Sequence, residues 1–354
     1  MKFSISVPIG AYHPFLPWCL ESLAQQGDSV EICLLDASGD PRVREIADHY
    51  NAALTYRRHG PDDGQSDAIK EGWDNSTAPF LGWLNADDIL FPNALKKVSD
   101  KLGGDPTLDV VYGHSTILDD EARMTGYHWA VEPPGLRLLE GGIISQPSCF
   151  FRRASYEAAG GIDLSLHYTM DWDLFIRIYQ TGAKFDFIDT PLSMVLWGAD
   201  TKTASFNARR REELQRIIKM YAPQAKQASI FRSFAIQNVL SRIKPAAIQN
   251  VVTRALTRGR KIVYGLAADG AISESAEIFV AHYDAEPKNS LVVEVEDASK
   301  LMSAEICDRA YEATTSGNLV RLTTHENVLS GETICIRLIA KDGQTVRFRN
   351  CRWA

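Results

Sequence analysis

The first 115 residues alternate short apolar runs with longer segments of helical spacing. Between the runs, hydrophobic residues recur every three or four positions, as at Leu16, Leu20 and Leu23, which predicts amphipathic helices. These runs predict buried strands at 3–9, 30–36 and 80–84 and a further short strand at 54–58. This alternation predicts a mostly parallel sheet with helices on both faces, in which ligands bind at the carboxyl ends of the strands.

The rest of the chain shows three further patterns. Residues 116–205 mix strand and helix signals, whereas residues 206–261 contain almost no glycine and keep helical spacing, so we expect two or three helices there. From residue 262 onward, short β-rich runs separated by turn residues predict a small antiparallel β-sandwich. The expected domains are an α/β domain over 1–205 in two halves, 1–115 and 116–205, a helical segment over 206–261 and a β domain over 262–354.

Composition sets the broad class of the protein. The chain has 354 residues, of which 45% are hydrophobic and 23% are charged, values typical of a globular protein with two or three domains. No apolar run approaches the roughly 18 residues of a membrane-spanning helix, and Pro8 interrupts the first apolar run, so we expect neither a membrane span nor a signal peptide. Six cysteines without a CxxC spacing predict reduced thiols and a cytoplasmic protein.

The net charge of −7 is distributed unevenly. Residues 1–206 carry 16 basic and 29 acidic side chains, residues 207–261 carry 13 and 2, and residues 262–354 carry 9 and 14. A basic helical surface suits an anionic membrane face, so peripheral contact at the inner face of the membrane through 207–261 is one hypothesis. The alternative is a solvated face that balances the acidic N-terminal part. We expect no nucleic-acid partner, because the segment lacks a recognition motif and the rest is acidic.

An acidic cluster follows the predicted strand at 80–84. Asn85 and Ala86 lead into the adjacent carboxylates Asp87 and Asp88, which repel each other. Mg²⁺ or Mn²⁺ relieves such repulsion, since each takes one or two carboxylates and completes its shell with phosphate oxygens and water. The alternative is an acidic turn in which Asp87 caps a helix.

Two further features lie at predicted strand ends or helix starts. Asp36 closes the second strand, where its carboxylate either accepts hydrogen bonds from a base or ribose or forms an Asx turn. The glycine-rich stretch 60–72 enters a helix near Asp67 and allows close approach of a nucleotide. This stretch matches neither a Walker loop nor a GxGxxG fingerprint.

A third candidate group opens the helix predicted near residue 170. Asp171 and Asp173 flank Trp172, and carboxylates at a helix start are stabilised by the helix dipole. One of them is a candidate general base, with the indole as a surface for stacking a sugar. The alternatives are simple capping by the acids and core packing by the indole.

Together and in this order, these segments resemble family 2 glycosyltransferases with the A-type fold (GT-A), over roughly residues 3–220. The segments that carry the resemblance are 4–10, 35–40, 60–72, 84–90, 146–153, 160–163 and 170–174. The resemblance implies an inverting, metal-dependent enzyme that moves a sugar from a UDP-sugar to an acceptor hydroxyl and uses Mn²⁺ or Mg²⁺.

The resemblance also implies roles for individual residues. Asp171 stands where the family places its catalytic base, and Trp172 and Asp173 are the candidate acceptor contacts. Asp87 and Asp88 are the implied metal ligands. The implied donor-binding residues are Ile9, Gly10, Asp36, Asp67, Asn85, Asp87 and Lys202.

The implied acceptor is a glycan or a lipid-linked glycan, in bacterial surface glycan biosynthesis. The chain departs from the family pattern in three places: Asn85 replaces the first acid of the metal motif, the turn after Asp36 is one residue short, and residues 196–203 contain no histidine. These departures leave a second hypothesis, a catalytically weak protein that binds a nucleotide or a glycan and retains the GT-A fold.

Overall fold

The computed structural model describes residues 1–128, 130, 134–197, 207–241 and 262–354. The predicted donor contact Lys202 and residues 242–261 lie outside the described residues. Two compact units form the chain. The first comprises Met1–Ser115, Ala130–Val195 and Asp200–Ile236, and the second comprises Thr116–Trp129, Leu196–Ala199 and Gln237–Ala354.

The described residues form the following regular elements. The helices are α1 (Leu16–Ala24), α2 (Pro41–His49), α3 (Gln65–Asp74), α4 (Ala94–Gly104), α5 (Arg153–Ala158), α6 (Met170–Gln180), α7 (Ala208–Tyr221) and α8 (Gln224–Ser241). The strands are β1 (Phe3–Ile9), β2 (Val30–Asp36), β3 (Leu54–His59), β4 (Phe80–Trp83), β5 (Ile89–Leu90), β6 (Val110–Leu118), β7 (Met124–His128), β8 (Cys149–Arg152), β9 (Phe185–Leu196), β10 (Ile262–Val263), β11 (Leu266–Ala267), β12 (Ala271–Ile272), β13 (Ser275–His282), β14 (Lys288–Val295), β15 (Leu301–Ile306), β16 (Tyr311–Ser316), β17 (Leu319–Val328), β18 (Glu332–Ala340) and β19 (Val346–Trp353).

The sheet of the first unit has the strand order β3-β2-β1-β4-β8-β6. β1 to β4 run parallel in this sheet, and β8 pairs antiparallel with both of its neighbours. The register places Ile9 opposite Asp36 and Asp36 opposite His59. The carboxyl ends of three parallel strands therefore meet at one edge, as the alternation of strands and helices predicts.

Helix α3 packs closely against this sheet. The hydroxyl of Ser6 on β1 donates to the carbonyl of Ile69 at 2.9 Å. A Cβ added to Gly72 would meet the Oγ of Ser6 at 2.3 Å, so only glycine allows this approach. The next residue, Trp73, is 0% exposed, and its indole N–H donates to the carbonyl of Gly82 at 2.9 Å. The helix that carries Asp67 is thereby fixed against β1 and β4.

Helices α7 and α8 begin the segment that the sequence marks as basic, and they contribute to the core of the first unit. Leu214, Ile217 and Ile218 of α7 are buried in the same apolar cluster as Trp73. Ile230 of α8 belongs to that cluster too. Burial of one apolar face explains why this part of the chain is helical while its other face carries charge.

The second unit contains two antiparallel sheets. One has the order β16-β17-β14-β19, with β12 and β7 also pairing with β19, and the other has the order β13-β18-β15. The indole N–H of Trp353 on β19 donates to the carbonyl of Ala281 on β13 at 3.2 Å. The predicted antiparallel β structure is confirmed, and so is the α/β sheet of the first unit. None of the helices in the described ranges is long and apolar enough to cross a bilayer.

Candidate active site

The side chain of Asp36 is held at the edge where the parallel strands end. It is 1% exposed, and its Oδ1 accepts the backbone N–H of Ser38 at 2.9 Å and the Ser38 hydroxyl at 2.5 Å. Its Oδ2 lies 2.7 Å from Nδ1 of His59. Asp36 therefore forms the Asx turn that the sequence left open, and both carboxylate oxygens have partners inside the protein.

His59 is a site residue that the sequence did not single out. Its Nδ1 is bonded to the Asp36 carboxylate, which fixes the orientation of the ring. Nε2 is buried and has no hydrogen-bond partner among the described residues. The signal that could have revealed His59 is its position as the last residue of the third parallel strand. A buried ring nitrogen without a hydrogen-bond partner in the described part of the chain, beside a buried carboxylate, marks this edge as polar.

The cluster after β4 forms a tight turn around Asn85. The Asn85 side-chain amide donates from Nδ2 to Oδ2 of Asp88 at 2.8 Å, and its Oδ1 accepts from Nε2 of Gln65 at 2.6 Å. The backbone N–H of Asp88 donates to the Asn85 carbonyl at 3.0 Å. Strand β5 follows, so the alternative that Asp87 caps a helix at residue 89 is wrong. Asn85 holds the turn together, with its amide oxygen already bonded.

The two acids of this turn differ in exposure. Asp88 is 5% exposed, whereas Asp87 is half-buried. Beneath them, the thiol of Cys19 lies 3.5 Å from the Asn85 carbonyl. Burial raises the pKa of this thiol well above its ordinary value, and the charges of Asp88 and Asp87 raise it further. Cys19 is therefore a neutral thiol beside these two carboxylates.

The donor set of this turn suits a hard divalent cation. Within the described ranges, no group of three or more His, Cys, Asp or Glu side chains surrounds a common point. Mg²⁺ or Mn²⁺ needs only one or two carboxylates when a diphosphate and water supply the other oxygens. Asp87 and Asp88 meet this requirement, and Asn85 does not add a ligand because its amide oxygen is bonded to Gln65.

The other predicted donor contacts lie around the same edge. The Ile9 carbonyl accepts the N–H of Ala37 at 2.9 Å, and Gly10 is exposed immediately after it. Asp67 is half-buried in the first turn of α3, where its Oδ2 accepts the N–H of Asp63 at 3.3 Å. The structure thus brings Ile9, Gly10 and Asp36 together, with Asp67 at the start of the neighbouring helix.

Asp171 begins α6 and is half-buried. Burial raises the pKa of its carboxyl, while the backbone N–H groups of Trp172 and Asp171 and the charge of Arg210 lower it. The thiol of Cys149 lies nearby, and its pKa is raised by burial and by the Asp171 charge. A partly accessible carboxylate whose proton affinity is increased has the properties of a general base.

Two hydrogen bonds connect the Asp171 region to the donor edge. The Ser66 hydroxyl at the start of α3 donates to the Leu166 carbonyl at 2.9 Å. The Gln146 side chain donates to the carbonyl of Trp83, the last residue of β4, at 2.6 Å. These bonds tie the segments that precede Asp171 to α3 and β4 within the first unit.

The side chains of Trp172 and Asp173 are buried and do not form an open surface. Each is 4% exposed. The Trp172 indole N–H donates to the Leu138 carbonyl at 2.6 Å, and the Asp173 carboxylate bonds to Arg177 at 2.7 Å and to the Tyr221 hydroxyl at 3.0 Å. Instead of an open stacking surface, the indole fills the core, and Asp173 forms a buried ion pair. Neither predicted acceptor contact is exposed to solvent in this structure.

Comparison with known proteins identifies the family. The family model described as "Glycosyl transferase family 2" matches residues 4–159. A protein named "PGL/p-HBAD biosynthesis glycosyltransferase", from Mycobacterium bovis (strain BCG / Pasteur 1173P2), is 32% identical over 187 residues, which are 51% of this chain and 71% of that protein. The chain belongs to glycosyltransferase family 2. The predicted enzyme class, a glycosyltransferase, is confirmed.

A more distant relative and a solved structure are also similar to this family 2 enzyme. A chondroitin synthase from Escherichia coli is 22% identical over 224 residues, covering 60% of this chain and 32% of that protein. The crystal structure of S. aureus TarS 1-349 in complex with UDP-GlcNAc matches with a TM-score of 0.52 at 16% identity, covering 66% of this chain and 72% of that one. This structural likeness confirms the predicted GT-A fold.

Proposed function

We propose that this enzyme transfers a sugar from a UDP-sugar to an acceptor hydroxyl with inversion at the anomeric carbon. The observation that supports the proposal is a half-buried carboxylate, Asp171, in the first turn of α6, in the same unit as the acidic turn of Asp87 and Asp88. A single displacement requires two parts. One is a base for the acceptor, and the other is a place for the donor, here an acidic turn beside a polar strand edge.

The chain's own residues account for the proton and for the donor. Asp171 accepts the proton of the acceptor hydroxyl as that oxygen bonds to the anomeric carbon, and the bond between this carbon and the diphosphate breaks on the opposite face. Attack from the opposite face inverts the configuration. The edge formed by Ile9, Gly10, Asp36 and His59 holds the nucleoside, with the buried Asp36 fixing the ring of His59.

Asp87 and Asp88 would hold Mn²⁺ or Mg²⁺ together with the diphosphate of the donor. When bound, such a cation stabilises the negative charge that develops on the leaving diphosphate. Asn85 orients Asp88 by donating to one of its oxygens, so Asp87 is the carboxylate that we expect to contribute most to binding.

Two similarities support the choice of donor and acceptor. TarS, which has the same fold, is described in complex with UDP-GlcNAc, and this supports a UDP-sugar donor. The mycobacterial relative is named for PGL/p-HBAD biosynthesis, and the E. coli relative is a chondroitin synthase. These names support a glycan or lipid-linked glycan as acceptor, in the biosynthesis of a bacterial surface glycan.

Nucleotide binding tests the proposal directly. By calorimetry, we expect UDP and a UDP-sugar to bind the wild type in the presence of Mn²⁺, and GDP to bind more weakly. Asp87→Ala should weaken the Mn²⁺-dependent binding by at least about tenfold, because one of two carboxylate ligands is lost. Asp100→Ala, which removes an exposed acid of α4 paired with Lys96, is the matched control and should bind as the wild type does.

The outcomes of this experiment separate the alternatives. Absence of nucleotide binding under every condition would overturn the proposal. Binding of UDP without transfer to any acceptor and without slow hydrolysis of the UDP-sugar would instead support the weak nucleotide-binding alternative.

We also propose peripheral contact with an anionic membrane, carried by residues 242–261. The described part of the basic segment is partly neutralised, since Arg216 pairs with Asp163 at 3.1 Å and Lys226 pairs with Glu140 at 2.5 Å. Residues 242–261 add six Lys or Arg and no acidic residue. Each basic residue near an anionic surface contributes about 1 kcal/mol, so together they suffice for reversible binding.

Vesicle co-sedimentation checks this membrane contact. At low salt we expect the full chain to sediment with vesicles of phosphatidylglycerol and phosphatidylcholine, and to stay in solution with phosphatidylcholine alone. Replacing the six basic residues of 242–261 by Gln should abolish sedimentation. If the wild type does not bind the anionic vesicles at low salt, the basic segment has no membrane role.

A further inference from the structure

Helix α7 is attached to the turn that precedes Asp171. The buried carboxylate of Glu213 accepts three successive backbone N–H groups, from His167 at 2.9 Å, Tyr168 at 2.7 Å and Thr169 at 3.2 Å. Thr169 is the residue at the N-terminal boundary of α6. Because three donors converge on one buried carboxylate, the position of α7 and the start of α6 depend on each other.

A second contact joins the N-terminal end of α7 to the same turn, residues 167–169. The Asn207 side chain caps the helix by accepting the N–H of Arg210 at 2.9 Å, and its Nδ2 lies 2.5 Å from the Tyr168 hydroxyl. Arg210 lies three residues from the N-cap Asn207 and three from Glu213, so it neighbours both of them on the helix surface. Arg210 thus lies between two contacts to residues 167–169, on the face of α7 that is directed at the start of α6.

The guanidinium of Arg210 and the carboxylate of Asp171 affect each other. Arg210 is half-buried, and burial lowers its pKa while the charge of Asp171, and those of Tyr168 and Glu213, raise it. Among the described residues, the pKa of Asp171 is lowered by Arg210 on α7 and by backbone N–H groups of α6, while the Asp171 charge itself raises the pKa of Cys149 on β8. Of these, Arg210 supplies the positive charge.

We propose that Arg210 is the positioning residue of the catalytic base: anchored on α7 by Asn207 and Glu213, it keeps the Asp171 carboxylate ionised and directed towards the acceptor. The inference rests on the proposed function of Asp171 and adds a residue that the resemblance to the family does not assign. Only an ionised carboxylate accepts a proton from the acceptor, whereas burial favours the protonated form. A nearby cation opposes that effect of burial.

The pH dependence of transfer tests the proposal. Since the base must be deprotonated, kcat/KM rises with pH through the pKa of Asp171. Removing the cation raises that pKa, so Arg210→Met and Arg210→Gln should move the acid limb upward by about one pH unit and leave most of the high-pH activity. Arg210→Lys should restore much of the shift. Arg211→Met, which removes the same charge from the exposed neighbouring position, should leave the profile unchanged.

A measurement without turnover separates this proposal from the proposed function. In protein labelled with carboxyl-¹³C aspartate, the Asp171 signal is assigned by its loss in Asp171→Asn and titrated by NMR. The Asp171 titration should move upward in Arg210→Gln and Arg210→Met but not in Arg211→Met, whether or not the enzyme transfers sugar under the conditions used. An unchanged titration, or an activity loss that is equal at every pH, would overturn the role of Arg210.

Discussion

Asp171→Asn is expected to slow sugar transfer by roughly 10²–10⁴-fold while leaving donor binding nearly unchanged. The amide cannot accept the proton of the acceptor hydroxyl, and the side chain keeps its size and its position at the start of α6. Because the substitution changes neither β1 nor β2 nor β3, the donor edge of Ile9, Asp36 and His59 should stay intact. Initial rates of transfer and calorimetric binding of the UDP-sugar, measured on the same preparation, check both parts.

The matched control for this substitution is Asp100→Asn. Asp100 is an exposed acid of α4 that pairs with Lys96 at 2.6 Å, and its loss should leave the transfer rate unchanged. Transfer by Asp171→Asn at close to the wild-type rate would exclude Asp171 as the base. A loss of donor binding in parallel with the rate would instead indicate that the substitution disturbs the fold of the site.

Trp73→Ala is expected to lower the free energy of unfolding of the first unit by about 3–5 kcal/mol, the range for truncating a large buried aromatic side chain. The ring is surrounded by the aromatic side chains of Trp83, Phe151 and Tyr156, with centroid distances of 5.7, 5.6 and 4.9 Å. Its removal leaves a cavity and also deprives the Gly82 carbonyl of its indole donor. Urea unfolding followed by fluorescence and circular dichroism measures the loss.

Trp18→Ala provides the comparison for this stability measurement. Trp18 is half-buried and stacks on Phe15 at a centroid distance of 5.0 Å, so its truncation exposes a surface without creating a closed cavity. The decrease in unfolding free energy should be clearly smaller than for Trp73→Ala. Equal effects of the two substitutions would mean that α3 does not depend on this aromatic cluster.

The local pattern of the sequence predicts most of the first unit because the apolar residues of each strand and helix mark the positions that are buried. Strands β1, β2 and β4 are buried on both faces, as expected for strands covered by helices, and Asp36 is recognisable as an acid at the end of such a strand. In the second unit, β16 was not predicted. Five of its six residues are exposed, so it lacks the alternation that marks a half-buried strand.

The parts of the site that escaped prediction depend on contacts between distant segments. His59 becomes a site residue only through the register that sets it opposite Asp36, 23 positions away in sequence. Arg210 lies in a run of three arginines, and only the contact between Glu213 and the turn before α6 distinguishes it from its neighbours. The pair Asp173 and Arg177 was readable, since a four-residue spacing on a helix brings opposite charges together.

The attachment of α7 through Glu213 also determines the shortest part of the chain that could be transferred to another protein as a working unit. The family match ends at residue 159, before the base, and the boundary expected from sequence falls at residue 205, before α7. A module cut at either point would retain the nucleotide edge but lose the carboxylate that holds the turn before Asp171. A transplantable unit is therefore expected to include α7, which lies outside the matched region.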